Sequence, residues 1–188
     1  MTLLERLKIE TRPAHDRIEQ AIDLERRIET RESYKKLLGR FYGFHHAWEQ
    51  AAAPVADNRV FFERRCKTHL LVQDLQALGM PQDEIISLPQ CRSLMPLPSS
   101  QAVLGSMYVI EGSTLGGAII SREVEQRLGM NAETGCAYFR SYGREIGVMW
   151  KSFGAVLLEA SSPEADDLIV ETAQHTFTVM HDWLCEAS

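Results

Sequence analysis

The sequence predicts an all-α fold, a single-domain orthogonal helical bundle spanning residues 1–188. Three observations carry that reading. Apolar residues recur at the three-to-four spacing of helices along most of the chain. β-Branched residues seldom alternate with polar ones, as half-buried strands require. Capping and breaking residues divide the chain into helix-sized pieces.

A first helix is expected over 2–23, opened by a capping box of Thr2 and Glu5. Pro13 falls inside it, so the helix bends there or the residues before it form a separate turn. A second helix is expected over 32–52, ended by Pro54, and a third over 58–78, ended by Gly79 and Pro81. Residues 81–98 hold Pro81, Pro89, Pro96 and Pro98 and read as loop with one short helical turn. A long helix follows from Ser99 or Ser100 to Leu128, capped by Gly129, and residues 130–141 connect. Two further helices are expected over 142–160 and 163–186, the last capped by Ser162 with Pro163 at its first position.

Bulk properties narrow the function classes. A formal net charge of −6 argues against a nucleic-acid partner. No continuous apolar run approaches the roughly 20 residues that span a bilayer, and Met1-Thr2-Leu3-Leu4-Glu5-Arg6 lacks the layout of a signal peptide. Cys66, Cys91, Cys136 and Cys185 form no CxxC pair and no zinc or iron–sulfur spacing. They read as thiols in a reducing compartment, and a cytoplasmic location is expected.

Two segments carry chemistry. On a helical wheel Lys8, Arg12, His15 and Glu19 fall within an arc of roughly 60°, beside an apolar arc of Leu3, Leu7, Ala14 and Ile18. A neutral imidazole at such an edge can ligate iron through one ring nitrogen, while Glu19 at i+4 accepts from the other. Lys8 and Arg12 suit the carboxylates of a flat dianion. Taken alone, the same pattern also describes a solvated helix face. The second segment runs from Leu104 to Ile120 and places Gly105, Gly112, Gly116 and Gly117 inside a helix. Each forgoes about 1 kcal/mol relative to alanine. Either another helix approaches closely there, or a flat ligand lies on the bare backbone.

Together these segments resemble a known family. Lys8-x-x-Thr11-Arg12-x-x-His15-x-x-x-Glu19 resembles the proximal helix of heme oxygenases, and Gly112-Ser113-x-x-Gly116-Gly117 resembles their distal helix. The wording around the glycines looks most like bacterial members, including those that supply biliverdin to bacterial phytochromes. The resemblance implies a heme oxygenase-like fold and oxidative opening of heme to biliverdin, with release of iron and CO. Heme would be substrate and cofactor, alongside O₂ and electrons from an external reductase or ferredoxin. Implied partners are heme, the electron-donor protein and a biliverdin-accepting phytochrome, with neither nucleic acid nor membrane.

The resemblance also implies residue roles. His15 would be the axial iron ligand, with Glu19 behind it. Lys8, Arg12 and, from the segment Trp150-Lys151-Ser152-Phe153, Lys151 would meet the propionates. Gly112, Gly116 and Gly117 would lie over the distal heme face, and Gly112, Ser113 and Gly116 would shape the reaction there. Mammalian-type members carry an aspartate where this chain has Ser113. A serine hydroxyl can hold a water but cannot carry that charge.

Two other readings remain open. A non-heme enzyme of the same fold, with a di-iron or thiamine-related site, would want inward Glu-x-x-His motifs, and the sequence has none. A heme or biliverdin carrier would use the same helices without turnover. Elsewhere, His45 and His46 read as one packing and one surface histidine. His69 reads as surface, and His175 and His181 as incidental. Phe41, Tyr42, Phe44 and Trp48 read as core rather than a cofactor box, and Trp183 as a packing anchor. Tyr138, Phe139 and Arg140 have no assigned place.

Overall fold

A computed structural model describes residues 1–185 as helices and connections, with no strand among them. The helices are α1 (Leu3–Glu10), α2 (Arg12–Ala21), α3 (Leu24–Arg27), α4 (Arg31–Ala52), α5 (Arg59–Glu63) and α6 (Thr68–Ala77). They continue with α7 (Gln82–Ser87), α8 (Ser100–Leu128), α9 (Ala137–Arg140), α10 (Ile146–Glu159) and α11 (Pro163–Cys185). Residue 186, expected to end the last helix, lies outside the described residues.

The expected caps are in place. Thr2 and Glu5 close a capping box on α1, Gly129 ends α8 at φ +66°, and the Ser162 hydroxyl accepts the Ala165 N–H at 3.1 Å. Two expected helices are each divided. The first breaks at Thr11, whose hydroxyl donates to the Leu7 carbonyl at 2.7 Å, and Pro13 then sits in the first turn of α2. The third is not continuous over 58–78 but splits into α5 and α6. Neither glycine nor proline causes that break. Instead the Glu49 carboxylate on α4 accepts the N–H groups of Lys67 and Thr68, at 2.6 and 2.9 Å, and so caps α6 from another helix. Arg65 and Lys67 turn inward and are buried.

Helix α8 lies at the centre. It packs along α11 and also meets α9 and α10. By length and mean hydropathy (1.4 over its most apolar window) α8 alone among the described residues could cross a membrane, a feature that a search for unbroken apolar runs passes over. Half of that window is buried in the bundle, chiefly against α11, while Phe41, Tyr42, Phe44 and Trp48 of α4 are all buried. The Trp48 indole N–H donates to the Ser106 hydroxyl on α8 at 2.9 Å, which fixes α4 against the central helix. Trp183 anchors α11 to α4 in the same way, donating to the Arg40 carbonyl at 2.7 Å beneath the Arg40 guanidinium.

Gly105 explains how closely α8 and α11 approach. A Cβ there would lie 2.3 Å from the Ile169 carbonyl oxygen and 3.0 Å from the Thr172 Cβ, and backbone cannot yield as a side chain would. Gly105→Ala is expected to force the two helices apart at a cost of about 3 kcal/mol. Thermal unfolding should therefore fall by roughly 6–12 °C. An unchanged Tm would show that the contact is slack.

Candidate functional site

Helices α2 and α8 both pack against α11; Arg12, His15 and Glu19 lie on α2 and the glycine-rich segment on α8, while the break at Thr11 leaves Lys8 on α1. On α2, His15 is half-exposed and meets the edge of Phe177 on α11, with ring centroids 5.7 Å apart. Its Nδ1 lies 3.5 Å from the Glu19 carboxylate and 3.7 Å from that of Asp16. That nitrogen is itself shielded from solvent and makes no hydrogen bond at these distances. Its Nε2 is the atom left to serve as a ligand. Asp16 stands next to His15 in the chain, yet helical spacing alone does not bring it forward as a partner. It takes the Arg12 guanidinium at 2.8 Å, so Arg12 is tied to α2. The donor atoms of His15, Asp16 and Glu19 lie within 4.8 Å of one another. Lys8 on α1 and Lys151 on α10 are exposed.

On α8 the two explanations for the glycines are both realised, at different positions. Gly117 is a packing glycine: a Cβ there would stand 2.9 Å from the Phe139 carbonyl oxygen of α9. Gly116 is exposed and faces open space, with nothing within 4 Å of an added Cβ. Gly112 meets only the Trp150 ring, at 3.8 Å. Around them Leu115 and Ile119 are exposed apolar side chains. This stretch therefore presents bare backbone with apolar margins, a surface suited to a flat, largely apolar molecule. Trp150 of α10, packed at a tilt against Tyr108 with ring centroids 5.7 Å apart, forms one border of it. The Ser113 hydroxyl donates to the Ile110 carbonyl at 2.7 Å.

Behind Ser113 lies a cavity of about 70 Å³, lined by Lys67, Thr114, Gly117, Tyr138, Phe139 and Ser141 among others. That is far too small for a macrocycle and large enough for a few water molecules. Ser141 holds φ +44°, a conformation that non-glycine residues rarely adopt, and its hydroxyl is buried without a partner.

This wall of the site contains charged residues that sequence patterning does not single out. Glu111 on α8 is buried between Arg65, at 3.3 Å, and Lys67, at 3.8 Å, and accepts the Tyr142 phenol at 2.6 Å. Burial pushes the Glu111 carboxyl up and takes the Lys67 ammonium down to about 8, each opposed by the other's charge. Arg65 also donates to the Met149 carbonyl and the Ser152 hydroxyl, at 3.2 and 2.7 Å, tying the cluster to α10. One signal was available in the sequence: Glu111 is the only charged residue in the run from Ala102 to Ile120.

Among the histidines, His46 bonds Gln90 and stacks on Tyr42, and His69 is exposed. His45 is fully buried, its Nε2 2.9 Å from the Tyr138 hydroxyl. Burial, reinforced by the Lys67 charge, lowers its pKa to about 3. The unfolded chain binds that proton near pH 6.5 and the folded one does not, so the stability it contributes is complete above 6.5 and is lost as pH falls towards 3. Asp74, raised to about 6 by burial while it accepts the Ala137 and Tyr138 N–H groups, works in the opposite sense between pH 6 and 3.8. His45→Gln should therefore lose about 2 kcal/mol less stability than the parent between pH 7 and 5. Denaturant titrations at the two pH values measure this, and parallel losses would contradict it.

The profile of the heme oxygenase family matches residues 1–186. A heme oxygenase of Xanthomonas campestris pv. campestris is 32% identical over 129 residues, which cover 65% of this chain and 70% of that protein. The structure of heme oxygenase from Leptospira interrogans superposes with a TM-score of 0.78 at 16% identity, covering 100% of both chains. That of heme oxygenase-1 from the cyanobacterium Synechocystis, in complex with heme, gives 0.72 at 18% identity, covering 99% of this chain and 92% of that one.

Proposed function

The chain belongs to the heme oxygenase family and is an enzyme that degrades heme, and we propose that it opens heme to biliverdin between α2 and the bare-glycine face of α8. The observation that carries the placement is Gly116. It is a helical glycine whose missing side chain faces open space, although glycine in a helix carries a cost that packing does not explain here. The shielded Nδ1 of His15, with two carboxylates close by, is the second feature that fits an iron ligand.

When bound, heme supplies the iron at which O₂ is activated and is itself the molecule opened, with release of iron and CO. The protein residues bind and orient. His15 Nε2 would hold the iron. With a small shift its Nδ1–H would reach Glu19 or Asp16, now 3.5 and 3.7 Å away, which would fix the tautomer and raise the basicity of the ring. Lys8, Arg12 and Lys151 would receive the propionates. For Arg12 this means sharing its guanidinium with Asp16. Gly112 and Gly116 would let the macrocycle lie directly on backbone and would leave room there for a small reactant. Gly117, seated on α9, holds that stretch of α8 in place. The Ser113 hydroxyl stands where a water can be held beside the reacting face.

Electrons come from an external reductase or ferredoxin, and a phytochrome is the acceptor expected for the biliverdin. We take residues 1–188 as one domain acting in the cytoplasm. Stoichiometry tests the reaction. One equivalent of bound heme, reduced in air, should yield about one equivalent each of CO, iron and open tetrapyrrole. Heme recovered intact would indicate a carrier.

A further inference from the structure

We infer that Lys67, held by Glu111 and Tyr142, is the positioning residue that orders water in the cavity beside Ser113, supplying a buried charge where this chain lacks a distal carboxylate. The inference rests on the heme reading above. Four observations converge on it. Lys67 is only 2% exposed, yet it lines the cavity together with Ser113, Thr114 and Gly117, so its charge reaches the reacting side of α8 from behind. Its backbone is fixed by the Glu49 carboxylate. Its ammonium lies 3.7 Å above the Tyr142 ring and 3.8 Å from Glu111, which leaves hydrogen-bond donors for water. The unpartnered buried Ser141 hydroxyl supplies a further polar group in the cavity wall.

Burial takes the Lys67 ammonium down to about 8 against the pull of Glu111 and Glu49, so the charge is kept below that pH. Helix α4 contributes Glu49 and the unprotonated His45. The segment between α5 and α6 contributes Arg65 and the thiol of Cys66, which burial pushes up to about 12. Helix α8 contributes Glu111, α9 contributes Tyr138, and Tyr142 follows it. Glu111 is shared between Arg65 and Lys67, and of these two cations Lys67 is the one that lines the cavity. A water there is polarised by the ammonium, donates more readily towards the glycine face, and is replenished from solvent without net loss of the lysine proton.

The test is a pH titration of the visible spectrum of the ferric heme complex, which reads how readily water at the reacting face gives up a proton. A nearby positive charge favours that loss. Lys67→Met should raise the midpoint by about half a pH unit or more, Lys67→Arg should restore it, and Glu111→Gln, which leaves the cation less compensated, should lower it. Opposite shifts from two neighbouring buried residues are not what a purely structural role produces, and recovery of the midpoint in Lys67→Arg makes the same distinction if Glu111→Gln does not fold. Midpoints that stay put, or that move in the same direction, overturn the inference while leaving the heme site intact. A parent protein that forms no Soret band with hemin overturns the heme reading and this inference with it.

Discussion

His15→Ala should abolish heme turnover, with a fall of at least about 100-fold, while leaving the protein folded. Altering a residue that merely supports a metal ligand typically costs 10–100-fold, and the ligand itself should cost more. Stability is little affected because His15 is half-exposed and its one ring contact is the edge of Phe177; such a pair contributes about 1 kcal/mol. Loss of activity would then be a loss of ligation and not of fold, and unchanged melting with a displaced Soret band would show it directly. Glu19→Gln is the graded counterpart. It retains an acceptor for Nδ1–H but not the charge. A His15→Ala protein with unchanged heme affinity and turnover would refute the axial assignment.

Gly116→Leu should separate binding from stability in the opposite sense from Gly105→Ala. Nothing lies within 4 Å of a Cβ at Gly116, so the leucine meets no protein atom as it leaves the backbone. Leucine is a far better helix former than glycine, and the ligand-free protein should gain about 0.5–1 kcal/mol, raising its Tm by roughly 1–4 °C. The same side chain would project into the space assigned to the macrocycle, and hemin affinity should fall at least about tenfold, since filling a preformed site costs more than the 1.4 kcal/mol that a factor of ten represents. A more stable protein that no longer takes up heme is an outcome that only a ligand-facing glycine predicts. Normal uptake of hemin would move the heme off this face.

Most of the bundle was legible in the sequence because its determinants are local. Thr2 with Glu5, Gly129, and Ser162 with Pro163 mark helix ends through contacts no more than four residues apart. The break between α5 and α6 was not legible, because its cap is the carboxylate of Glu49, 18 residues upstream on α4. The glycines of α8 advertised an unusual helix but not which neighbour each one serves. Gly105 and Gly117 admit backbone and Gly116 admits open space, a distinction set by α11 and α9. The buried cluster of Glu111, Arg65 and Lys67 escaped for a related reason: single charges in an amphipathic pattern look solvated until the fold brings opposite charges together. His15 could be singled out by its place at the edge of an apolar stripe, but Asp16, which shares its Nδ1 with Glu19, emerges only from the folded geometry.

The most direct test of the central claim is the spectrum of the purified protein mixed with hemin and followed after ascorbate is added in air. A Soret band that forms with the parent chain and then decays into the broad red absorption of biliverdin is the predicted result. A Soret band that forms and persists, even with a physiological electron donor supplied, would contradict it.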